Sequence, residues 1–143
     1  MKQYASKSVT ETKKIAKNIA KTFKGGEVLG LVGNLGTGKT HFTKGLAEYF
    51  EIKNPITSPT FVVMKVYDIK GNKYINKMSH ADAYRLETGE DALAIGLGEY
   101  IENNKCLTVI EWAERIKDVL PKDTIWVKFN YGDSDNERII NIK

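Results

Sequence analysis

Gly33-Asn34-Leu35-Gly36-Thr37-Gly38-Lys39-Thr40 decides the reading of this chain. It fits G-x-x-x-x-G-K-[ST], the pattern of a phosphate-binding loop, or P-loop. Its flanks supply the context that such a loop needs. Val28-Leu29-Gly30-Leu31-Val32 is a short apolar run of the kind that forms a buried parallel strand. After the motif, Phe42, Leu46, Ala47 and Phe50 recur at helical spacing, so a helix starts inside it. Gly33, Gly36 and Gly38 lack Cβ, which lets the loop lie tight against an anion. Its N–H groups, Thr37 included, then converge as a nest, and the helix N-terminus adds positive potential. In that arrangement Lys39 reaches the β- and γ-phosphates, Thr40 offers its hydroxyl to Mg²⁺, and the His41 backbone N–H faces the α-phosphate.

Downstream, Thr57-Ser58-Pro59-Thr60-Phe61 is a polar stretch stiffened by proline. In P-loop switches a loop threonine bonds Mg²⁺ and the γ-phosphate, and Thr60 is the candidate for that place, against plain turn chemistry. Alternation over 61–67 and 74–78 around Lys70-Gly71-Asn72 predicts a β-hairpin, so the sheet is mixed. Asp68-Ile69-Lys70-Gly71 formally matches D-x-x-G but falls on that turn and is discounted. His80-Ala81-Asp82-Ala83-Tyr84-Arg85-Leu86 then crowds a histidine, an acid, a tyrosine and an arginine behind the hairpin's second strand. Asp82 is either a carboxylate at a strand end, facing the metal or the attacking water, or a solvated strand terminus.

Residues 88–102 predict one or two short helices interrupted near Gly96 and Gly98. Cys106-Leu107-Thr108-Val109-Ile110 is a second buried-strand run, closed by Glu111. An apolar strand ending in an acid is the Walker B layout, which sets a carboxylate beside Mg²⁺. Trp112 begins a short helix toward Val119 and Leu120; it packs either near the phosphate loop or in the core. Residues 124–131 and 138–142 alternate around Gly132-Asp133-Ser134-Asp135 and read as a closing antiparallel hairpin without chemistry.

Upstream, Ser8-Val9-Thr10-Glu11 reads as a capping box, followed by Ile15, Ala16, Ile19, Ala20 and Phe23 on one helical face. Gly25-Gly26 ends that element. Its first turn either closes over a base or ribose or only covers the sheet. Residues 1–24 carry seven lysines and one acid, leaving the other 119 residues at −2 of the total +4. That basic helix is a solvated face or a docking surface for RNA or an acidic partner. With only Arg85, Arg115 and Arg138 as arginines, direct nucleic-acid reading is poorly supported. A length of 143 residues predicts a single domain, residues 1–143, and a fold of the α/β class: a three-layer P-loop NTPase-like fold on a mixed parallel/antiparallel sheet. No apolar run is long enough to span a bilayer, and a lone Cys106 suits a reducing cytoplasm.

Taken together, G-N-L-G-T-G-K-T, S-P-T-F, H-A-D-A-Y-R-L and V-I-E-W-A-E resemble, in order and spacing, the TsaE (YjeE) family over roughly residues 8–131. These are small P-loop ATPases of bacterial tRNA threonylcarbamoyladenosine synthesis. Asn34, Ala81 and Ala83 depart mildly from that pattern. The resemblance implies ATP and Mg²⁺ as cofactors, TsaB and TsaD as partners, and tRNA (position 37) met through the complex. It also implies that Lys39 and Thr40 bind phosphate and Mg²⁺. Thr60 would lie in a switch-like loop, Asp82 and Glu111 would act at the metal and the catalytic water, and Trp112 would sit near the nucleotide. Arg85 and Arg115 are the candidate arginine fingers, and Arg115 is counted with the nucleotide-binding residues. Two other classes are weighed: a nucleotide-dependent binding module, and a small P-loop kinase, for which arginines and a lid are lacking. The N-K-x-D of guanine readers is absent after Asn72, Asn76 and Asn104, which favours adenine.

Overall fold

Val28–Val32 forms β2 near the middle of a seven-stranded sheet. Its side chains alternate between two cores: Leu29 and Leu31 face one, Val28 the other. The computed structural model describes residues 1–143. In chain order the strands are β1 (Lys2–Ser6), β2, β3 (Met64–Asp68), β4 (Lys77–Asp82), β5 (Cys106–Glu111), β6 (Ile125–Tyr131) and β7 (Arg138–Ile142). They lie in the order β1-β7-β6-β2-β5-β4-β3. The central four, β6, β2, β5 and β4, run parallel; β3, β7 and β1 join by antiparallel pairing. The mixed sheet and the helices on both of its faces are those the sequence predicts.

Two helices, α1 (Val9–Ala20) and α2 (Lys39–Tyr49), cover one face. They seal a core with Leu29, Leu31, Phe42, Leu46, Met78, Leu107, Val109 and Phe129. On the other face lie α3 (Gly89–Ala94), α4 (Leu97–Ile101) and a 3-10 segment, Ala113–Val119, kinked at Ile116. There Ala81, Ala92, Leu97, Ile110, Ala113 and Ile116 form the second core.

Ser8 caps α1 by accepting from the Glu11 N–H at 3.1 Å. Glu11 answers one residue further back than a capping box requires, on the Lys7 N–H at 2.6 Å. Several elements differ from expectation, and the hairpin's first strand starts at Met64 rather than at residue 61. β1 was not foreseen: it is a short, largely exposed strand whose register is set only by β7, from Lys2 opposite Ile142 to Ser6 opposite Arg138. The hairpin's second strand is Lys77–Asp82, so His80 and Asp82 lie within it rather than behind it. Residues 74–76 instead belong to a turn, where the Asn72 carboxamide oxygen accepts from the N–H groups of Tyr74 and Ile75.

Parallel pairing aligns the C-terminal ends of β2, β4, β5 and β6 along one edge of the sheet. Antiparallel pairing brings the N-terminal ends of β3 and β7 to the same edge. Open α/β sheets bind ligands outside those carboxyl ends.

Candidate nucleotide-binding site

At that edge the P-loop links β2 to α2. Gly38 caps α2 with φ 106°, a left-handed conformation that costs glycine nothing and opens the first turn toward the cavity. Gly33 is fixed by crowding: a Cβ there would lie 2.8 Å from both the Phe129 carbonyl oxygen and Thr37 Oγ1. Thr37 is buried and donates to the Asn34 carbonyl at 2.6 Å, which closes the loop on itself.

The loop borders a cavity of about 540 Å³ whose lining includes Leu35, Gly36, Gly38, Lys39, Thr40, His41, Ser58, Thr60, Asp82, Tyr84, Glu111 and Trp112. Lys39 donates to the carbonyls of Gly33 and, at 3.1 Å, Asn34, and its ammonium lies 4.5 Å from the Trp112 ring centroid. Burial pushes the Lys39 ammonium below the usual lysine range, while Glu111, Glu114 and Asp82 pull it the other way.

β4 and β5 supply the acids. Their register sets Asp82 beside Glu111. Glu111 closes the apolar run of β5 and is 2% exposed. Thr40 Oγ1 donates to Glu111 Oε1 at 2.9 Å, so the P-loop hydroxyl and the strand-end acid meet as a Walker A–Walker B pair would. Glu111 Oε2 lies 3.0 Å from His80 Nε2 and 3.2 Å from Ser58 Oγ. Burial raises the Glu111 carboxyl, but the hydrogen bonds from His80, Thr40 and Ser58 outweigh it. The net displacement is below the ordinary carboxylate value.

Asp82 accepts from the Tyr84 N–H on Oδ1 at 2.9 Å. On Oδ2 it accepts from Ser58 at 3.1 Å and Thr60 at 3.0 Å. The stretch read as a possible switch is thus tied by two hydroxyls to both acids. It ends at Val63, a β-branched residue at φ 68°, a conformation such residues rarely adopt. Trp112 is likewise left-handed, φ 56°, where β5 turns into the 3-10 segment. That turn aims its ring at Lys39 and at Tyr84, centroids 5.1 Å apart.

Arg115 is placed differently from the other candidates. It is exposed, lies 5.3 Å over the Tyr84 ring, and does not line the cavity. Arg85 lies 4.7 Å over the exposed Phe61 ring. The third arginine, Arg138, was assigned no chemistry, nor was its hairpin. The structure sets both against the P-loop. Tyr131 donates to the Leu35 carbonyl at 2.6 Å, and Arg138 donates to the Gly36 carbonyl at 3.3 Å and lies 5.0 Å over the Tyr131 ring. Beside them Ser8, which caps α1, and Val9 and Thr12 within it, with Asn136, Arg138 and His41, enclose a smaller groove of about 140 Å³. His41 joins the two spaces, its Nδ1 buried without a partner, and burial followed by Lys44 and Lys13 lowers its pKa. Ser58, Tyr84, Tyr131 and Arg138 carried no local signal beyond nearness to a proline, to H-A-D-A-Y-R-L or to a turn.

A glycine loop on a parallel sheet, with a buried acid bonded to its threonine, defines a P-loop nucleotide-binding protein. Comparison narrows this class to one family. The family model described as "Threonylcarbamoyl adenosine biosynthesis protein TsaE" matches residues 6–140. The TsaE protein of Bacillus subtilis is 38% identical over 97% of this chain and 85% of its own length. That of Rickettsia bellii is 40% identical over 94% and 90%. The crystal structure of Bacillus subtilis YdiB superposes with a TM-score of 0.78 at 33% identity, covering 99% of this chain and 83% of that one. The chain belongs to the TsaE family.

Proposed function

We propose that this chain is the Mg²⁺-dependent, ATP-hydrolysing component of tRNA threonylcarbamoyladenosine biosynthesis, acting with TsaB and TsaD. In this reading residues 1–143 form one P-loop ATPase domain. The observation that carries it is the 2.9 Å bond from Thr40 to Glu111, which joins the phosphate loop to an acid 71 positions away. Adenine rather than guanine fits a chain without the N-K-x-D reader.

The donor set fits Mg²⁺: one hydroxyl and two carboxylates offer hard oxygens, and phosphate oxygens complete such sites. Thr40, Glu111 and Asp82 would hold it, and it would supply Lewis-acid stabilisation of phosphate charge. The loop N–H groups from Gly33 to His41 bind the phosphates, and Lys39 adds the cation. Glu111, bonded to Thr40, works on the metal side. Asp82, bonded to the Ser58–Thr60 loop, orients the water that displaces ADP from the γ-phosphorus. Trp112 shields the phosphate end. The adenosine end enters the groove between the first turn of α1 and Arg138.

Lys39 is the only lysine or arginine lining the main cavity. Phosphoryl transfer wants more positive charge than that, and an arginine supplied in trans is the usual remedy. Turnover by the chain alone is therefore slow, and partners accelerate it. The basic helix is in part a solvated face, since Lys13 and Lys17 both pair with Glu48 at 2.7 Å. Contact with tRNA then runs through the complex, in the cytoplasm.

The test is ATP turnover by the purified chain, alone and with TsaB–TsaD, beside Lys39→Ala. Low basal turnover, stimulated by the partners and lost in Lys39→Ala, supports the reading. High basal turnover contradicts partner dependence. Tight nucleotide binding without turnover in either setting replaces hydrolysis with nucleotide-dependent docking.

A further inference from the structure

His80 has no part in the scheme above, yet it is fully buried in β4 and bonded to the principal acid. Its place follows from the sheet. Asp82 and Glu111 are in-register neighbours on parallel strands. Adjacent strands lie only about 4.8 Å apart, and like charges directly opposite repel. Met78 and Val109 face the core under α1 and α2, so the alternation of β4 and β5 puts His80, Asp82 and Glu111 on that face too. His80 sits one pleat before Asp82, opposite Val109, and therefore diagonal to Glu111. Along that diagonal His80 Nε2 reaches Glu111 Oε2 at 3.0 Å.

We propose that His80 is a positioning residue: as an Nε2–H donor to Glu111 Oε2, it holds that carboxylate apart from Asp82 and turned toward Thr40, in the geometry that takes the metal–nucleotide. The inference rests on the Mg²⁺–ATP reading of the site. Thr40 and Ser58 also donate to Glu111, but both are hydroxyls of segments that meet the ligand, whereas His80 belongs to the sheet. It is the one donor to Glu111 held within a strand of the sheet. Nδ1 of the same ring is buried without a partner. A histidine kept only to fill space would carry that unsatisfied atom for no gain. An ionised carboxylate only accepts, so Nε2 carries the proton of this bond. Ligand-orienting partners of this kind set metal affinity by about 10–100-fold.

The experiment compares the parent chain with His80→Leu, which keeps the bulk and removes the donor, and His80→Gln, which returns an N–H near the Nε2 position. Mn²⁺ binding in the presence of a non-hydrolysable ATP analogue is read by electron paramagnetic resonance. Analogue binding in EDTA and thermal melting are read alongside. His80→Leu should weaken Mn²⁺ binding about 10–100-fold, with the melt and the metal-free analogue affinity near the parent's, and His80→Gln should restore most of it. In metal-free parent protein the ¹⁵N spectrum should show a histidine, absent from His80→Gln, with Nε2 protonated. Parent-like Mn²⁺ binding by His80→Leu, failure of His80→Gln to rescue, or an unprotonated Nε2 overturns the assignment. If the parent itself binds no Mn²⁺–nucleotide, the metal–nucleotide reading fails first, and the two failures are told apart by that one measurement.

Discussion

Gly45→Ala tests how closely the two site-bearing helices are set. Gly45 lies inside α2, where helix propensity favours alanine by about 1 kcal/mol. Sterics oppose it. A Cβ at Gly45 would fall 2.7 Å from Lys13 Cα, 2.7 Å from the Lys13 carbonyl oxygen and 2.9 Å from Ala16 Cβ. Ordinary carbon contacts are about 3.5–4.0 Å. The first two atoms are backbone and cannot swing aside, so α1 must move off α2 by about 1 Å. Overpacking of this kind costs about 1–3 kcal/mol or more, and a gap of that size also forfeits a quarter to a half of each dispersion contact along the seam. Against the propensity gain, the net is a loss of about 1–2 kcal/mol. For a chain of this size that lowers the melting temperature by about 3–7 °C.

The same movement reaches the site. Ser8, which caps α1, and Val9 and Thr12 within it wall the smaller groove, and Thr12 Cγ2 is 3.9 Å from where a Cβ on Gly38 would stand. Nucleotide affinity should therefore fall together with the melting temperature. Gly98→Ala in α4 is the control, because a Cβ there meets only the flexible Leu93 Cδ2, at 3.1 Å. It should be neutral or stabilising by up to about 1 kcal/mol. Urea unfolding and calorimetry of both variants give the answer. A Gly45→Ala protein as stable as its parent would refute the steric reasoning, and lower stability with undiminished nucleotide affinity would refute the link to the groove.

The two acids should separate by readout: Glu111→Gln should weaken Mn²⁺ binding at least tenfold, or about 1.4 kcal/mol, whereas Asp82→Asn should weaken it less and lose turnover, as metal titration beside single-turnover hydrolysis would show. Arg138→Ala removes the donor to the Gly36 carbonyl and the stack on Tyr131, so nucleotide affinity should fall about tenfold, checked by titration with a fluorescent ATP analogue; unchanged affinity would detach the hairpin from the site. Glu111 also predicts a pH dependence. Its folded pKa lies below the ordinary 4.5, so its stabilising effect is complete above that value and is lost as pH falls through the folded one. Urea midpoints taken from neutral pH downward should show Glu111→Gln lacking part of the parent's acid loss, with Glu48, also lowered by its bonds to Lys13 and Lys17, unchanged in both proteins.

The P-loop was legible because its chemistry is local: glycine conformations, a lysine and a threonine at fixed spacing, on one strand and one helix. Glu111 was legible for a similar reason, since an acid closing an apolar run is conspicuous. β4 was misplaced at both ends. Ser79-His80-Ala81-Asp82 is polar enough to look like a loop, yet it is wholly buried between β3 and β5 with helices on either face. A strand covered on both sides loses the period of two, and its polar groups are accounted for only by partners far along the chain: Ser79 by Thr108, His80 by Glu111. β1, Tyr131 and Arg138 were missed on the same principle. Each is defined by what it meets, 96 positions away for Tyr131 on Leu35 and 102 for Arg138 on Gly36.

That distribution bears on why the site binds its loop so firmly and its charges so sparingly. Four parallel strands deliver the phosphate loop, both acids and Tyr131 to one edge, and the antiparallel neighbours bring Arg138 and the Ser58–Thr60 loop to meet them. Every arginine is then engaged away from the main cavity: Arg85 over Phe61, Arg115 over Tyr84, Arg138 on loop carbonyls. Lys39 alone faces two carboxylates, and burial already works against its charge. Mg²⁺ would offset the acids, but the charge that spreads over the departing phosphoryl oxygens would still meet a single side-chain cation. On the proposed reading, such a cavity would hold a triphosphate more readily than split one. The exposed Phe61 and Val62 mark where the Ser58–Thr60 loop meets solvent, a short step from both acids. A partner that shifts this loop would alter the hydroxyl partners of Asp82 and Glu111 while bringing its own cation to the cavity mouth, so stimulation by partners should require the Ser58 and Thr60 hydroxyls as well as Lys39.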